Sequence, residues 1–499
     1  MLPPAIGLLS AVLKREGFQV ELFDTTYYLY IDGETFDSDG SKADRLMARP
    51  FKMPNEITEL TSDPYEDFAE KVKTFKPDLL ALSATEDMFP LGIKLLKSLG
   101  ENRTTTICGG VFPTFSPELA LSYPEIDLVC KGEGEETLLK LCQQMEKGEP
   151  NYDTIPNICY LKDNVPVITK ASMINMDANP LIDMSIFEEA RFYRPMGGKV
   201  YRMFPVETHR GCPYTCAFCN SPSQMVLYKK DEGKSYLRCK SMENIKRELL
   251  YYKEEMKAEY LYFWADTFFS WSRNEFEQFA DIYEEHIKLP FWCQTRVETI
   301  NRERFERLKA IGCARISFGL EHGNEEFRKK VLNRNVSNKL MINNFKIVNE
   351  VGIPYSVNNI LGFPKETYEL AFDTILLNRE IDATDRNAYP YSPFHGTPLR
   401  DVAEKLNLVN PDELVKSFVA TGSILDMPQF PRKQVNGLVK TFNMYVNFPK
   451  ERWPEIKIAE GEDDAALEQF DKLAKEFKSE FWDGAASAES KGIEYAANN

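Results

Sequence analysis

Short apolar runs alternate with amphipathic stretches of helical period along two long reaches of this chain, and that alternation confines it to α/β folds built on parallel strands. In the first reach, residues 6–16 have helical spacing closed by Gly17, after which residues 18–23 (FQVELF) alternate like a strand. Residues 78–83 (DLLALS) form a continuous apolar run, the pattern of a parallel strand buried on both faces. Residues 104–108 and 127–130 read as two more strands, and 88–99 and 138–145 as helices. Residues 1–150 are therefore expected to form a Rossmann-like, doubly wound domain whose ligand sits at the carboxyl ends of its strands. Those ends carry Ser83-Ala84-Thr85, Gly109-Gly110-Val111 and the Gly132-Glu133-Gly134-Glu135 loop. No apolar strand stands before Pro3-Pro4, where such a sheet normally opens. Either the sheet is one strand short or that strand is not in this sequence.

Residues 151–200, interrupted by Pro156, Pro166, Pro180 and Pro195, read as a connector. A second alternating series fills 201–400, with strand candidates at 206–209, 260–264, 291–295, 315–319, 355–361 and 388–391. Helical patterns intervene at 242–252, 273–286, 303–310 and 339–351. Such βα units predict a full or partial (β/α)6 barrel with its function at the strand carboxyl ends. Residues 401–499 are expected to be a helical region. Its helical stretches are 399–406, 411–419 and 465–482, the last with Leu467, Phe470, Leu473, Ala474, Phe477 and Phe481 on one stripe, and a loose tail follows from Gly484.

The balance of 61 basic against 77 acidic residues, a net −16, argues against nucleic acid as the main partner. It does so less firmly for the barrel, because 11 of the acids and only 4 of the bases lie in residues 460–499. No apolar run reaches the roughly 18 residues of a membrane span. The opening MLPPAIGLLSAVLKREG lacks the basic start of a signal peptide, so the ten cysteines read as reduced thiols or metal ligands of a cytoplasmic protein.

Three of those cysteines follow the first strand of the second series, in His209-Arg210-Gly211-Cys212-Pro213-Tyr214-Thr215-Cys216-Ala217-Phe218-Cys219-Asn220. Thiolates at this spacing converge on a soft metal centre. Zinc would need a fourth ligand, for which His209 is the candidate. An iron–sulfur cubane held by three cysteines would keep one iron open, since Cys239, Cys293 and Cys313 stand alone. Unligated thiols are the remaining reading.

The CxxxCxxC motif at the head of a βα series resembles that of the radical S-adenosylmethionine (SAM) enzymes. The resemblance implies that Cys212, Cys216 and Cys219 hold a [4Fe–4S] cluster whose fourth iron SAM chelates, and that Phe218 packs near the adenine. Asp266, in a Trp-Ala-Asp-Thr-Phe turn that departs from the family's Gly-Gly-Glu, stands where that family contacts the SAM amino group; a helix N-cap is the alternative. Arg296 is placed to reach a carboxylate or to pair with Glu298. Residues 317–323 (SFGLEHG) and 360–367 (ILGFPKET) resemble the fourth- and fifth-strand signatures, which implies SAM contacts for Ser317, Glu321 and Gly362, with Pro364 and Glu366 shaping the next helix start. His395, unusual in its Gly-Thr-Pro segment, is a candidate substrate-side group or a surface histidine, and His286 is expected to be exposed on its helix. The basic residues of a 220–240 loop, Lys229, Lys230, Lys234 and Arg238, greet either solvent or an anionic substrate.

The three glycine-bearing segments of residues 1–150 resemble, in order and spacing, the cobalamin-binding domain that precedes many radical SAM barrels. That resemblance implies cobalamin contacts for Ser83, Thr85, Gly109, Gly110, Val111, Gly132, Glu133 and Gly134. No histidine precedes His209, so this domain has none to ligate cobalt from below, which suits methyl shuttling better than homolysis of an adenosyl group. The expected function is methyl transfer from methylcobalamin to an unactivated carbon of a small-molecule or peptide substrate, with electrons from a flavodoxin or ferredoxin. The alternatives are a cobalamin-using cyclase or rearrangement enzyme, an RNA methylthiotransferase, and a non-enzymatic corrinoid carrier or zinc-stabilised scaffold.

Overall fold

A computed structural model describes residues 2–32, 34–35, 42–49, 51, 59–417 and 422–482. The expected loose tail from Gly484 lies outside them. Two sheets carry the architecture. The first runs in the order β1 (Leu80–Ser83), β2 (Thr106–Gly109), β3 (Leu128–Cys130), β4 (Ile158–Lys162), β5 (Val165–Val167), parallel through β3 and antiparallel beyond. Its register sets Ser83 beside Gly109 and Gly109 beside Cys130 at the carboxyl edge. Apolar side chains leave both faces. Phe89, Ile93, Phe112 and Val129 share one core, and Leu13, Ile107, Leu128, Leu141 and Ile158 another, so helices cover both sides as a doubly wound sheet requires.

The expected strand at 18–23 forms no ladder and belongs to no regular element. The run at 78–83, expected to be buried on both faces, is instead an edge: β1 pairs only with β2 and its residues alternate between half-buried and exposed. Both segments line one cavity of about 1330 Å³, beside Leu9, Leu13 and Leu95. Among the described residues the sheet is therefore open where a further strand would separate these two.

The second sheet has seven strands in sequential order: β6 (Tyr193–Met196), β7 (Lys199–Val206), β8 (Tyr260–Phe263), β9 (Phe291–Arg296), β10 (Cys313–Glu321), β11 (Tyr355–Leu361) and β12 (Asp385–Pro390). All neighbours are parallel except the β6–β7 hairpin. The two edges do not meet, so this is the partial barrel of the two expected forms. Residues 151–200, read as a connector, supply β4, β5 and β6. The expected strand at 206–209 ends at Val206, and His209–Arg210 pairs instead with Arg238–Cys239.

The helices that matter to the site are α1 (Pro4–Arg15), α2 (Phe89–Ser98), α3 (Glu135–Glu146), α4 (Asn220–Asp231) and α5 (Arg432–Asn447). The 220–240 stretch is thus not one loop, since α4 occupies its first half. Residues 411–417 are not helical: the Val415 N–H donates to Glu86 Oε1 at 2.9 Å instead of to a helix carbonyl, and 418–419 lie outside the described residues. The helix α5, absent from the sequence reading, buries Val435, Leu438, Phe442 and Met444 in the core beneath the barrel's last strands. On the helix Asp464–Phe477, Leu473, Ala474 and Phe477 are buried, whereas Leu467 is exposed and leaves the expected stripe. No helix of the described residues is long and apolar enough to cross a membrane.

Candidate active site

The cysteine loop is fixed by its backbone. The Ala217 N–H donates to Leu332 O at 3.0 Å, the Leu399 N–H to Ala217 O at 2.9 Å, and Asn333 Nδ2 to both Thr215 oxygens at 2.9 Å. Cys219 then sits at the N-cap of α4. All three thiols are free. Burial pushes Cys212 up to about 12 and Cys219 up to about 11, so each must give up a tightly held proton on ligation. No three His, Cys, Asp or Glu side chains among the described residues close around a single ion. His209 does not act as a fourth ligand. Its Nε2 donates to Thr267 O at 2.8 Å, its Nδ1 lies 3.0 Å from Thr208 Oγ1, and burial lowers its pKa, so it is a neutral core imidazole. With His209 engaged elsewhere, the three thiols leave a fourth position open, as a cubane held by three cysteines does.

On the barrel side, the Phe218 ring lies 5.9 Å from that of Phe363, which brings it beside Gly362 at the end of β11. Gly362 has φ +85, and its N–H donates to Glu366 Oε2 at 2.6 Å. Glu366 also accepts from the Phe363 N–H and from His322 Nε2 at 3.0 Å, so this buried carboxylate organises the turn. Asp266 caps no helix: the turn after it starts at Thr267 without a side-chain cap. It faces the cavity, where dense surroundings push its carboxyl above the aspartate range against bonds from Ser221 and the Gly211 N–H. Ser317 Oγ accepts from Trp292 Nε1 at 2.9 Å and lies 2.7 Å from Ser356 Oγ. Arg296 forms the pair with Glu298, and its Nη1 also donates to Cys216 Sγ at 2.9 Å. Glu321, held at φ +71, accepts from Arg334 Nη1 at 2.8 Å; burial still raises its pKa. Arg334 had no signal in the sequence.

On the sheet side, Ser83, Gly109, Gly110, Val111, Gly132, Glu133 and Gly134 all line the cavity, as do Gly211 and Asp266, so both halves open into one space. Gly110 has φ +128, and a Cβ there would lie 2.6 Å from Ala84 O; at Gly132, φ +104, one would lie 2.4 Å from Tyr228 Oη. Over Gly109 nothing stands nearer than 3.7 Å, which leaves that edge free for a large ligand. Thr85 does not line the cavity; its carbonyl starts α2 by accepting from the Phe89 N–H at 2.9 Å.

Glu133 is committed to the protein. It accepts from Arg210 Nη1 at 2.8 Å, from Arg238 and from the Ile174 N–H at 2.7 Å, while Arg210 also binds Glu135 and Glu207. This buried cluster ties the sheet's glycine loop to the residue two before Cys212. His395 is not a surface histidine and does not line this cavity: it is buried between Glu86 and Pro411. His286 is half-buried, with Nε2 2.7 Å from Lys246 Nζ, rather than exposed.

Comparison with known proteins gives this geometry a family. The radical SAM superfamily model matches residues 206–376 and the B12 binding domain model residues 52–141. An uncharacterized methyltransferase of Pyrococcus horikoshii is 26% identical over 396 residues, covering 77% of this chain and 81% of that protein. The cytidylyl-2-hydroxyethylphosphonate methyltransferase of Streptomyces wedmorensis is 20% identical over 499 residues, covering 90% and 87%. The structure of the radical SAM methyltransferase TsrM from Kitasatospora setae, with cobalamin and a [4Fe–4S] cluster bound, superposes with a TM-score of 0.60 at 15% identity, covering 96% of each chain. The chain belongs to the radical SAM superfamily and carries a B12-binding domain. Within that class it is a cobalamin-dependent radical SAM enzyme, with a [4Fe–4S] cluster, SAM and cobalamin as its cofactors.

Proposed function

We propose that this enzyme methylates an unactivated carbon of a small-molecule or peptide substrate. The observation that carries the reading is the single cavity joining the Gly109-Gly110 and Gly132–Gly134 edge of one sheet to Gly211 and Asp266 of the other. When bound, the cluster and SAM supply a hydrogen-abstracting radical, and cobalamin supplies the methyl group.

The residues divide the work. Cys212, Cys216 and Cys219 would hold the cluster, and Phe218, Asp266, Ser317, Glu321 and Gly362 would surround SAM. Ser83, Gly109, Gly110, Val111, Gly132 and Gly134 would border the corrin, with Thr85 acting through the turn that leads into α2. Glu133 fixes the glycine loop through Arg210 and Arg238. The only histidine lining the cavity, His209, has both ring nitrogens engaged, so no imidazole from that wall is free for cobalt. That favours a metal that cycles as a methyl carrier.

The remaining expectations follow from this chemistry. A flavodoxin or ferredoxin supplies the electron, the reducing cytoplasm keeps the thiols free, and the net charge of −16 argues against nucleic acid as a partner. The test is anaerobic incubation with SAM, cobalamin and candidate substrates. 5′-Deoxyadenosine and S-adenosylhomocysteine should appear together; 5′-deoxyadenosine alone would replace methylation with a cyclisation or rearrangement. Zinc in place of iron and sulfide after anaerobic reconstitution would restore the scaffold reading.

A further inference from the structure

The geometry points to Arg296 as a positioning residue for the cluster: by donating a hydrogen bond to the Cys216 sulfur from a clamped, permanently charged guanidinium, it sets the cluster's reduction potential. This rests on the reading of Cys212, Cys216 and Cys219 as cluster ligands.

Three contacts fix the guanidinium. Its Nη1 reaches Cys216 Sγ at 2.9 Å. Its Nε donates to Glu298 Oε1 at 3.1 Å, and Nη2 donates to the same oxygen. Its central carbon stands 3.8 Å from the centroid of the Tyr214 ring, which belongs to the cysteine loop itself. The backbone beneath is anchored by Thr299 Oγ1, which donates to Arg296 O at 2.7 Å at the end of β9. The Arg296 side chain is only 12% exposed. Three of its five N–H groups are thereby committed to Glu298 and Cys216.

The consequence is electrostatic. A thiolate bound to iron keeps lone pairs and negative charge, so the Arg296 bond survives ligation. Reduction adds one negative charge to the cluster, and a fixed cation with an N–H aimed at a ligating sulfur favours that state. Glu298 works in the other direction, because its carboxylate is held below the usual range, despite burial, by Arg334 and Arg296 and stays ionised. Arg334, 3.6 Å from Glu298, continues the chain of charges to Glu321.

Opposed variants test this. Wild type, Arg296→Gln, Arg296→Lys and Glu298→Gln are reconstituted anaerobically, assayed for iron and sulfide, and titrated with dithionite while the reduced cluster is followed by electron paramagnetic resonance. R296Q should lower the midpoint, cutting the reduced-to-oxidised ratio about tenfold at the wild-type midpoint, which is about 59 mV for one electron. R296K should fall between, and E298Q should move the midpoint upward. Wild type that binds no iron and sulfide defeats the cluster reading itself. Loaded variants that all titrate with wild type defeat the role of Arg296, as does an unmoved R296Q whose signal no longer responds to SAM. If R296Q fails to load, E298Q decides: an upward shift supports the inference and an unmoved midpoint overturns it.

Discussion

His395 Nδ1 lies 2.7 Å from Glu86 Oε1, and this buried pair bolts the segment after the barrel's last strand to the turn after the first strand of the amino-terminal sheet. Both ring nitrogens face oxygen, since Nε2 donates to Pro411 O at 2.9 Å. Glu86 also accepts from the His395 N–H and the Val415 N–H, both at 2.9 Å. Removing one member leaves the other short of one buried hydrogen-bond partner, which costs about 1–3 kcal/mol. His395→Ala and Glu86→Ala should each lower stability in urea by roughly that amount, and the double variant by much less than their sum, a non-additivity that a double-mutant cycle measures.

Asp183 gives the stability a pH dependence far from the cysteines. It accepts from Ser10 Oγ at 2.6 Å and Lys14 Nζ at 2.7 Å, both on α1, and from Ser185. Burial pushes its carboxyl up, but these bonds outweigh burial and hold it below the ordinary 3.8. A carboxyl depressed in the folded state stabilises above its unfolded pKa and loses that contribution as pH falls through its folded value. Asp183→Asn should therefore cost about 1–2 kcal/mol at pH 7. Thermal melts should show the gap closing only as pH drops below 3.8. A constant gap across that window would mean packing, not charge.

Cys212→Ala, Cys216→Ala and Cys219→Ala should each remove cluster iron and sulfide and abolish SAM cleavage. None of the three lines the sheet edge at Gly109 and Gly132, so the visible absorbance of bound cobalamin should remain. Cys108→Ala serves as the contrast. Cys108 is wholly buried in the sheet core, so its loss should reduce stability by about 1–2 kcal/mol and leave the iron content unchanged.

Features encoded within one element were legible, and those decided between distant segments were not. The period of β8–β11, the cysteine spacing and the glycines at strand ends are local signals, and each lies within about two residues of its expected place. Residues 18–23 alternate as a strand does, yet alternation supplies no ladder partner, and β1 shows its edge for the same reason. The helix α5 escaped notice because Pro431 at its N-cap supplies no side-chain cap and its buried residues run almost all the way round. Its apolar stripe is blurred as a result. Residues 411–417 have helical spacing, but Glu86 takes the Val415 N–H. Arg296 illustrates the limit in the site: its sequence neighbour Glu298 was a foreseeable partner, whereas Cys216, 80 positions away, was not.

The two strained glycines should respond differently to the same substitution. At Gly110 the obstacle to a Cβ is the Ala84 carbonyl, 2.6 Å away and part of the backbone that shapes the site. At Gly132 it is the Tyr228 hydroxyl at 2.4 Å, the tip of a side chain stacked on Tyr236 at 4.5 Å. Both positions have positive φ, so alanine carries about 1–3 kcal/mol of backbone strain at either. Only the clash at Gly132 can be relieved from outside. Gly110→Ala and Gly132→Ala should both weaken cobalamin binding, followed by its absorbance on titration. Adding Tyr228→Phe should recover part of the loss for Gly132→Ala and none of it for Gly110→Ala. Equal rescue of both would place the defect in general destabilisation of the sheet rather than in the two turns that border the cavity.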